Sequence, residues 1–493
     1  ARYVSSANDL VLVGDVDLGP QIFASWQRLI QVLSTDAQRE QARRELALSL
    51  GFDPLDLGAL LSAGLDPDGQ WAAGWSAERE QWVVALPASD VAKLQDTLVD
   101  LGRRRFGAEA RVEGGATKLV TSFGPEDVER AAIRTQDRVV LWVSGSEAGQ
   151  TLAALQPLEP AASAASLASS DAQLAGQANI DGPALIAAAR DARIRDGERI
   201  AGLIETWTRR FEFSANFSEA GLGLKGRLAL TDAGRELLTK ARPPSFAASS
   251  AVRAAAVPDA ILVAAGALEP EVVFDTLIPP GSETRKGIEE AREQGRLLID
   301  IEKEIIPALS GALAASVGAG DLSALTFREL VGAPQKVLWS AFAVGRRPEA
   351  ESSPYEALLE AAGSAQGVDV ETRPVDDVEV TSFRTADTLV TEVAELEQAW
   401  FAANEPAVMN RVIARRDQSD AAALPLLEVE ARFGELHRIL QTFRAGSLPL
   451  FVRATWAQIL DAIELLGTAH LKAEARDDAL GVQVDLRLRP PAD

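Results

Sequence analysis

Hydrophobic and polar residues follow a strand-like pattern along some segments of the chain and a helical period along others. Residues 81–86 (Gln-Trp-Val-Val-Ala-Leu) are rich in β-branched and aromatic residues, which predicts a strand. Apolar residues spaced three and four positions apart within 21–50 and 282–313 predict long amphipathic helices. Two further segments, Phe211–Phe217 and Gly221–Leu230, are joined by Ser-Glu-Ala-Gly and predict a β-hairpin.

Three sequence patterns occur twice along the chain, in the same order. The pairs are Asp9–Pro20 with Asp259–Pro270, Val120–Phe123 with Val380–Phe383, and Gly221–Leu230 with Ala479–Leu488. The second pair is identical, reading Val-Thr-Ser-Phe both times. A repeated order of this kind indicates an internal duplication. We therefore expect an α+β fold of two tandem copies of one mixed α/β domain, each with long amphipathic helices and a closing antiparallel β-hairpin.

The stretch between the two copies is rich in Pro, Ala and Ser, which is typical of a linker. We expect the first repeat copy at residues 1–245, the linker at 246–257 and the second copy at 258–493. A similar small-residue stretch at 160–170 predicts a flexible connector inside the first copy.

The 47% hydrophobic content is ordinary for a globular protein, whereas the formal net charge of −23 limits the partners that we expect. A strongly acidic surface repels phosphates and anionic lipid headgroups, so we expect no nucleic-acid partner. A protein partner, such as a basic one, or an apolar small molecule is compatible with this charge. The absence of cysteine excludes disulfides, thiolate metal sites and cysteine nucleophiles.

The longest apolar stretches are too short to span a bilayer, so we expect no direct membrane insertion by this chain. The sequence begins with Ala1 rather than Met, which indicates processing or a trimmed start. Any membrane attachment is expected upstream of Ala1, as a lipid anchor.

No catalytic or cofactor motif stands out. The two histidines, His437 and His470, occur only in the second copy, and no G-x-S-x-G or phosphate-binding loop is present. We therefore expect no enzyme activity, no catalytic residues and no cofactor.

No metal site is expected either. Asp66–Gly69 (Asp-Pro-Asp-Gly) resembles the start of a calcium loop but lacks the later ligands, which favours a turn. Asp15 and Asp17 alternate at a strand end, as expected for a solvent-facing edge. An alternative cation site would combine acidic residues with one histidine, namely Glu428, Glu430, Glu435 and His437.

Three tryptophans lie close together in the first copy: Trp71, Trp75 and Trp82. Clustered aromatic side chains can line an apolar ligand site or a partner surface, and they can equally fill a core. They are the candidate site residues of this sequence.

One stretch resembles a known group of proteins. Leu50-Gly51-Phe52-Asp53-Pro54, followed by Leu57, Leu60 and Gly64-Leu65-Asp66-Pro67, is similar to a segment of uncharacterised bacterial envelope proteins of the myxobacterial type, which contain a domain of unknown function. Asn8-Asp9-Leu10 and Pro258-Asp259-Ala260 resemble the opening strand of that domain. The resemblance implies an exported protein of the periplasm or cell envelope, often tethered by a lipid anchor.

Together these patterns favour a non-enzymatic, exported binding or scaffolding protein. One alternative is a carrier of an apolar ligand such as a lipid, held between amphipathic helices and a sheet. A second alternative is a hydrolase with an unrecognised site.

Overall fold

The chain divides into two compact units. A computed structural model describes residues 1–123, 126–167, 172–179, 202, 205–241, 249–294, 300–332, 337–347, 350, 355–356, 368–385, 390–416, 424–444, 446, 448–476 and 478–489. Unit 1 comprises Ala1–Gly234 and Asp478–Asp493, and unit 2 comprises Arg235–Asp477. Unit 1 is therefore built from two separate stretches of the chain.

Unit 1 is organised around antiparallel strands, numbered along the whole chain. They are β1 (Leu10–Asp15), β2 (Gln70–Ser76), β3 (Gln81–Pro87), β4 (Glu109–Glu113), β5 (Ala116–Phe123), β6 (Glu126–Gln136), β7 (Val139–Ser144), β8 (Leu174–Asn179), β9 (Thr208–Ser218), β10 (Gly221–Leu230) and β20 (Ala479–Leu488). Hydrogen-bonded neighbours give the order β4-β5-β6-β7-β3-β2-β1-β8-β9-β10-β20. Tight turns join β2 to β3 and β9 to β10, and such turns require antiparallel partners.

The helices of unit 1 occupy the connections between strands. They are Leu18–Ser25, Gln27–Leu33, Asp36–Leu50 and Leu57–Ser62 between β1 and β2, Val91–Phe106 after β3, and Ala148–Ala154 after β7. Short 3₁₀ turns follow at Pro160–Ala162 and Ala164–Ser166. The helix Asp232–Ala241 follows β10, and most of its residues, from Arg235 on, belong to unit 2.

The helix Val91–Phe106 shows why these residues form a helix here. The Asp90 carboxylate accepts the backbone N–H of Lys93 at 3.1 Å, which caps the first turn. Leu94 and Leu98, four residues apart, are buried on one face. Gly107, at φ 61°, ends the helix in the left-handed conformation that glycine adopts without strain.

The sheet of unit 1 has an apolar cluster on each face. On one face, Leu94 and Leu98 pack with Leu119 and Ile133. On the other face, Val11, Val143 and Leu152 form a second cluster with the helix Ala148–Ala154 and the N-terminal segment. Both faces are covered because neighbouring strand residues point to opposite sides of the sheet.

Unit 2 has a similar arrangement of strands. They are β11 (Leu262–Ala267), β12 (Leu309–Ala319), β13 (Leu338–Arg346), β14 (Val368–Val375), β15 (Val378–Thr385), β16 (Val390–Glu395), β17 (Ala399–Ala403), β18 (Leu427–Arg432) and β19 (Leu466–Arg476). Their order is β14-β15-β16-β17-β13-β12-β11-β18-β19. This repeats the order from β4 to β9 in unit 1, so the two Val-Thr-Ser-Phe segments lie in β5 and β15 at matching positions of the two orders.

The helices of unit 2 again lie in the connections. They are Ser249–Arg253, Pro270–Leu277, Glu283–Glu293, Phe327–Gly332, Pro406–Ala414, Phe433–Thr442 and Leu450–Leu465, with a π turn at Ile301–Ile305 and a 3₁₀ turn at Ile306–Ala308. The main core gathers Trp339, Phe401, Met409 and Ile413.

The predicted fold class, two tandem copies of a mixed α/β domain, is wrong. Within each unit, the described strand pairings are all antiparallel. The strand expected to close the second copy, β20, belongs to unit 1, where Ala479 pairs with Ala229 and Arg487 with Gly221. The units therefore do not coincide with two consecutive copies. An alternating pattern marks a strand and its buried face, but it does not select the neighbouring strand.

Two local predictions also fail. The helix expected at 282–313 ends at Glu293, and β12 begins at Leu309. The small-residue stretch at 160–170 is packed rather than free over its first part, since Ser163 and Ala164 are fully buried. Its last residues, 168–170, and the first three residues of the predicted linker, 246–248, lie outside the described residues. The rest of the predicted linker is described, and within it Val252, Ala255 and Val257 are fully buried. The proposed domain boundaries at 245 and 258 stay predictions.

Candidate functional site

An apolar groove in unit 1 is the strongest candidate site. It lies between one face of the sheet and the helix Val91–Phe106, and it encloses about 690 Å³. This volume falls within the usual range for small-molecule sites, which are mostly apolar with a few polar groups. Its apolar lining consists of Leu50, Phe52, Trp82, Val84, Leu86, Leu98, Leu101, Phe106 and Trp142.

The floor of the groove follows from the alternation along β3. Trp82, Val84 and Leu86 are two residues apart and therefore point to the same face. The pairing of β3 with β7 places Trp142 directly opposite Val84, and Ser144 opposite Trp82. The floor is thus built from two strands that are distant in sequence.

The side wall of the groove includes the Leu-Gly-Phe-Asp-Pro segment singled out by the sequence. Gly51 ends the helix Asp36–Leu50 at φ 86°, a conformation that suits glycine. The residues on either side of it, Leu50 and Phe52, both line the groove. Asp53 fixes the turn, since it accepts Arg43 Nε at 2.8 Å and the N–H of Leu55 at 2.9 Å. The segment therefore has a local role in shaping this wall.

The structure places the three predicted tryptophans on the same face of the sheet. Trp75 is the cross-strand partner of Trp82, and Trp71 lies four residues before Trp75 on β2. Trp82 lines the groove, whereas Trp71 packs against the core cluster on that face. A ligand surface shared by all three stays a prediction. Trp142 was not among the predicted site residues, although the residues around it, 138–143 (Arg-Val-Val-Leu-Trp-Val), have the β-branched and aromatic composition of a strand.

One end of the groove carries polar groups. They are Glu80, Arg105, Arg130 and Ser144. Arg130 is held by its Nε, which donates to Thr121 Oγ1 at 2.9 Å, and its carbonyl accepts the N–H of Gly145 at 2.9 Å. Thr121 belongs to the first Val-Thr-Ser-Phe segment, so this repeated segment orients one of the two guanidinium groups.

A second cavity of about 410 Å³ lies on the opposite face of the same sheet. Its lining mixes polar and apolar groups, among them Tyr3, Ser76, Gln81 and Thr151. Burial raises the pKa of the Tyr3 phenol, and the nearby charge of Asp137 raises it further. The Thr151 hydroxyl donates to the Gln81 amide oxygen at 2.9 Å, and the amide nitrogen of Gln81 donates to the Ser146 carbonyl, so both ends of this buried amide are paired.

In both units an arginine, a serine and an acidic residue meet on three adjacent strands. In unit 1, Asp127 accepts Arg111 Nη1 at 2.5 Å and Ser122 Oγ at 2.7 Å. These bonds, the one from Arg111 first, lower the pKa of Asp127. The group is exposed, so its electrostatic contribution is screened by solvent.

The corresponding group in unit 2 is buried. Glu392 accepts Arg373 Nε at 2.9 Å, Arg373 Nη2 at 2.6 Å and Ser382 Oγ at 2.9 Å. The hydrogen bond to Glu392 raises the pKa of the Arg373 guanidinium. Ser122 and Ser382 occupy the same place in the two Val-Thr-Ser-Phe segments. In the described part of the chain, no buried side-chain N or O atom of this group lacks a hydrogen-bond partner, which indicates a structural role.

The other acidic candidates do not converge. Asp66–Gly69 forms a turn in which the N–H of Gly69 donates to the Asp66 carbonyl at 3.1 Å. Asp15 accepts Gln70 Nε2 at 3.0 Å, and Asp17 accepts a hydrogen bond from Gln21.

The acidic residues of the predicted alternative cation site each pair with a different side chain. Glu428 is 2.8 Å from His470, Glu430 pairs with Arg432, and Glu435 pairs with Arg438. Over the described part of the chain, no three His, Asp or Glu residues are grouped so that they could hold a metal ion.

Comparisons with known proteins add little. No protein family and no curated protein matches this chain. Solved structures that resemble it include three crystal forms of TP0453. Form I is 11% identical with a TM-score of 0.25, and it matches over 47% of this chain and 78% of its own. Form III is 13% identical with a TM-score of 0.27, over 48% and 84%. Form IV is 12% identical with a TM-score of 0.28, over 46% and 78%. Scores this low support no conclusion about the present chain.

A helix that crosses a bilayer must be both long and apolar. Within the described ranges, no helix combines the length and the apolar character needed to cross a membrane.

Proposed function

We propose that this chain is a non-enzymatic binding protein that carries an apolar ligand, such as a lipid chain, in the groove of unit 1. The observation that supports the proposal is the apolar lining of a cavity of about 690 Å³. Each methylene group removed from water contributes about 0.8 kcal/mol, so an alkyl chain seated along the groove gains most of its affinity from burial alone.

The alternatives have weaker support. A hydrolase would need a nucleophile, a base and an acid beside a pocket. His470 and Glu428 form a pair on β19 and β18, and neither residue lines the groove. A scaffolding role would use a surface rather than an enclosed groove. Location in the cell envelope is also part of the proposal, and it depends on the resemblance of the segment around Leu50–Pro54.

The proposal is tested by a substitution that fills the groove with a larger side chain. Val84 points into it from β3, so Val84→Trp places a large ring in the ligand volume. Val112→Trp is the matched control, because Val112 is 79% exposed on β4 and remote from the groove lining. Equilibrium dialysis with radiolabelled hexadecanol and hexadecanoate measures binding, and circular dichroism confirms folding of each variant.

We expect at least one of the two ligands, hexadecanol or hexadecanoate, to bind the native protein. Val84→Trp should weaken that binding by about tenfold or more, since it removes most of the buried contact, while Val112→Trp should leave it unchanged. Absence of binding by both ligands, or equal binding by a folded Val84→Trp variant, would refute the proposed function.

A further inference from the structure

Among the described residues that line the groove, the charged ones lie at one end and the others are mostly apolar. Glu80 precedes the first residue of β3, and Ser144 is the last residue of β7. Arg130 is hydrogen-bonded to Gly145, just beyond Ser144. These groups therefore lie where β3 begins, whereas Leu86 lines the groove near the other end of the strand.

The helix Val91–Phe106 brings a second guanidinium to the same end. This helix follows β3 after a short turn and packs back along the sheet, so its last residues return towards the beginning of β3. Arg105 is in the last turn and lines the groove together with Phe106. The apolar lining residues of β3 run from Trp82 to Leu86, which is four residue steps or roughly 13 Å, so an alkyl chain can lie extended along the strand over that length.

Arg105 is available to a ligand. Its guanidinium lies 5.8 Å from the centre of the Phe106 ring, and within the described ranges no carboxylate pairs with it. Arg130 keeps its Nε on Thr121, which fixes the direction of its side chain. Among the described lining residues, this end of the groove thus presents the guanidinium of Arg105, with Arg130 and Glu80 beside it, on a chain of net charge −23.

We infer that the ligand of this groove is a single-chain amphiphile whose head is an oxyanion, a carboxylate or a phosphate. This inference rests on the proposed function and adds the headgroup to it. The chain would lie against Trp82, Val84 and Leu86, and the head would accept hydrogen bonds from Arg105. Guanidinium groups match the planar geometry of such oxyanions and bind them more strongly than neutral donors do.

The test compares headgroups on one chain length. Equilibrium dialysis, below the micelle-forming concentration, measures the affinities of hexadecanoate, hexadecyl phosphate, hexadecanol and hexadecyltrimethylammonium. The variants are Arg105→Gln and the matched control Arg103→Gln. Arg103 is two residues away on the same helix, exposed and paired with Asp100 at 3.3 Å, and it does not line the groove. Both substitutions remove one positive charge from the same helix end.

We expect the oxyanions to bind the native protein about tenfold more tightly than hexadecanol does, and the ammonium compound to bind most weakly. Arg105→Gln should remove most of that preference, whereas Arg103→Gln should retain it. The relative affinities of hexadecanoate and hexadecyl phosphate then distinguish a carboxylate head from a phosphate head.

Two results would overturn the inference and leave the proposed function intact. One is equal binding of hexadecanol and the oxyanions, and the other is tightest binding of the ammonium compound, which would assign the headgroup contact to Glu80. An oxyanion preference that survives Arg105→Gln would likewise contradict it. If none of the four compounds binds the native protein, the proposed function itself is wrong.

Discussion

The buried Arg373–Glu392–Ser382 group predicts an unequal response of the two units to loss of an acidic residue. Glu392→Gln keeps the shape of the side chain and removes its charge. Glu392 is 1% exposed and accepts three hydrogen bonds, two of them from the Arg373 guanidinium. Breaking a buried ion pair from one side typically costs 3–5 kcal/mol, because the remaining charge loses its partner.

The expected cost here lies below that range. The Arg373 side chain is 34% exposed, so water partly replaces the lost carboxylate, and Asn410 Oδ1 still accepts Arg373 Nη2 at 2.9 Å. In the Glu392→Gln variant, the amide oxygen of glutamine can still accept a hydrogen bond from Arg373. We therefore expect Glu392→Gln to lower the free energy of unfolding by about 2 kcal/mol.

Urea unfolding of the full chain, followed by tryptophan fluorescence and circular dichroism, measures this loss. Asp127→Asn is the matched control, because Asp127 makes the same contacts with Arg111 and Ser122 in unit 1 but is 49% exposed. Its effect should be much smaller, since exposed ion pairs contribute little. Equal effects of the two substitutions would refute the reasoning, because burial would then not determine the strength of the pair.

Two further predictions follow from backbone geometry and from titration. In urea unfolding, Gly64→Ala should destabilise the protein by at least about 2 kcal/mol more than Gly107→Ala does. Both glycines have a positive φ, but only a Cβ at Gly64 would meet the backbone, at 2.5 Å from the Asp90 carbonyl oxygen. Similar losses of stability in the two variants would contradict this steric argument. Because the pKa of Asp127 is lowered in the folded state, its contribution is present above the pKa of the unfolded chain and lost as the pH falls through the folded pKa. Asp127→Asn and the native protein should therefore differ in melting temperature at neutral pH and converge in acid, and a difference that grows in acid would reverse the assigned sign.

Much of the local structure could be predicted from the sequence. The segment 81–86 is within β3, and the hairpin predicted from Phe211–Phe217 and Gly221–Leu230 is formed by β9 and β10. These predictions succeed because side-chain alternation and turn chemistry act locally. The segment 282–313 was harder, since Leu309 and Leu313 are four apart and suit a helix. There, pairing with β11 and β13 determines the conformation of β12.

The site was predictable only in part. Trp82 was recognised as a candidate, and its alternation with Val84 and Leu86 defines one face of β3. The second half of the floor, Trp142, lies sixty residues away along the chain, and it reaches the groove because β7 pairs with β3. Hydrophobic pattern indicates which face of a strand is buried. It carries no information on which distant strand will be the neighbour, and a groove depends on both.

The membership of β20 in unit 1 has a consequence for synthesis of the protein. One edge of β10 is covered by β20, and about 250 residues separate these strands along the chain. At typical rates of translation, the ribosome needs on the order of tens of seconds to add them. During that interval β10 has one unpaired row of backbone N–H and C=O groups, which is a template for pairing with other chains. The nascent chain can therefore self-associate through the uncovered edge of β10 until residues 479–488 emerge from the ribosome.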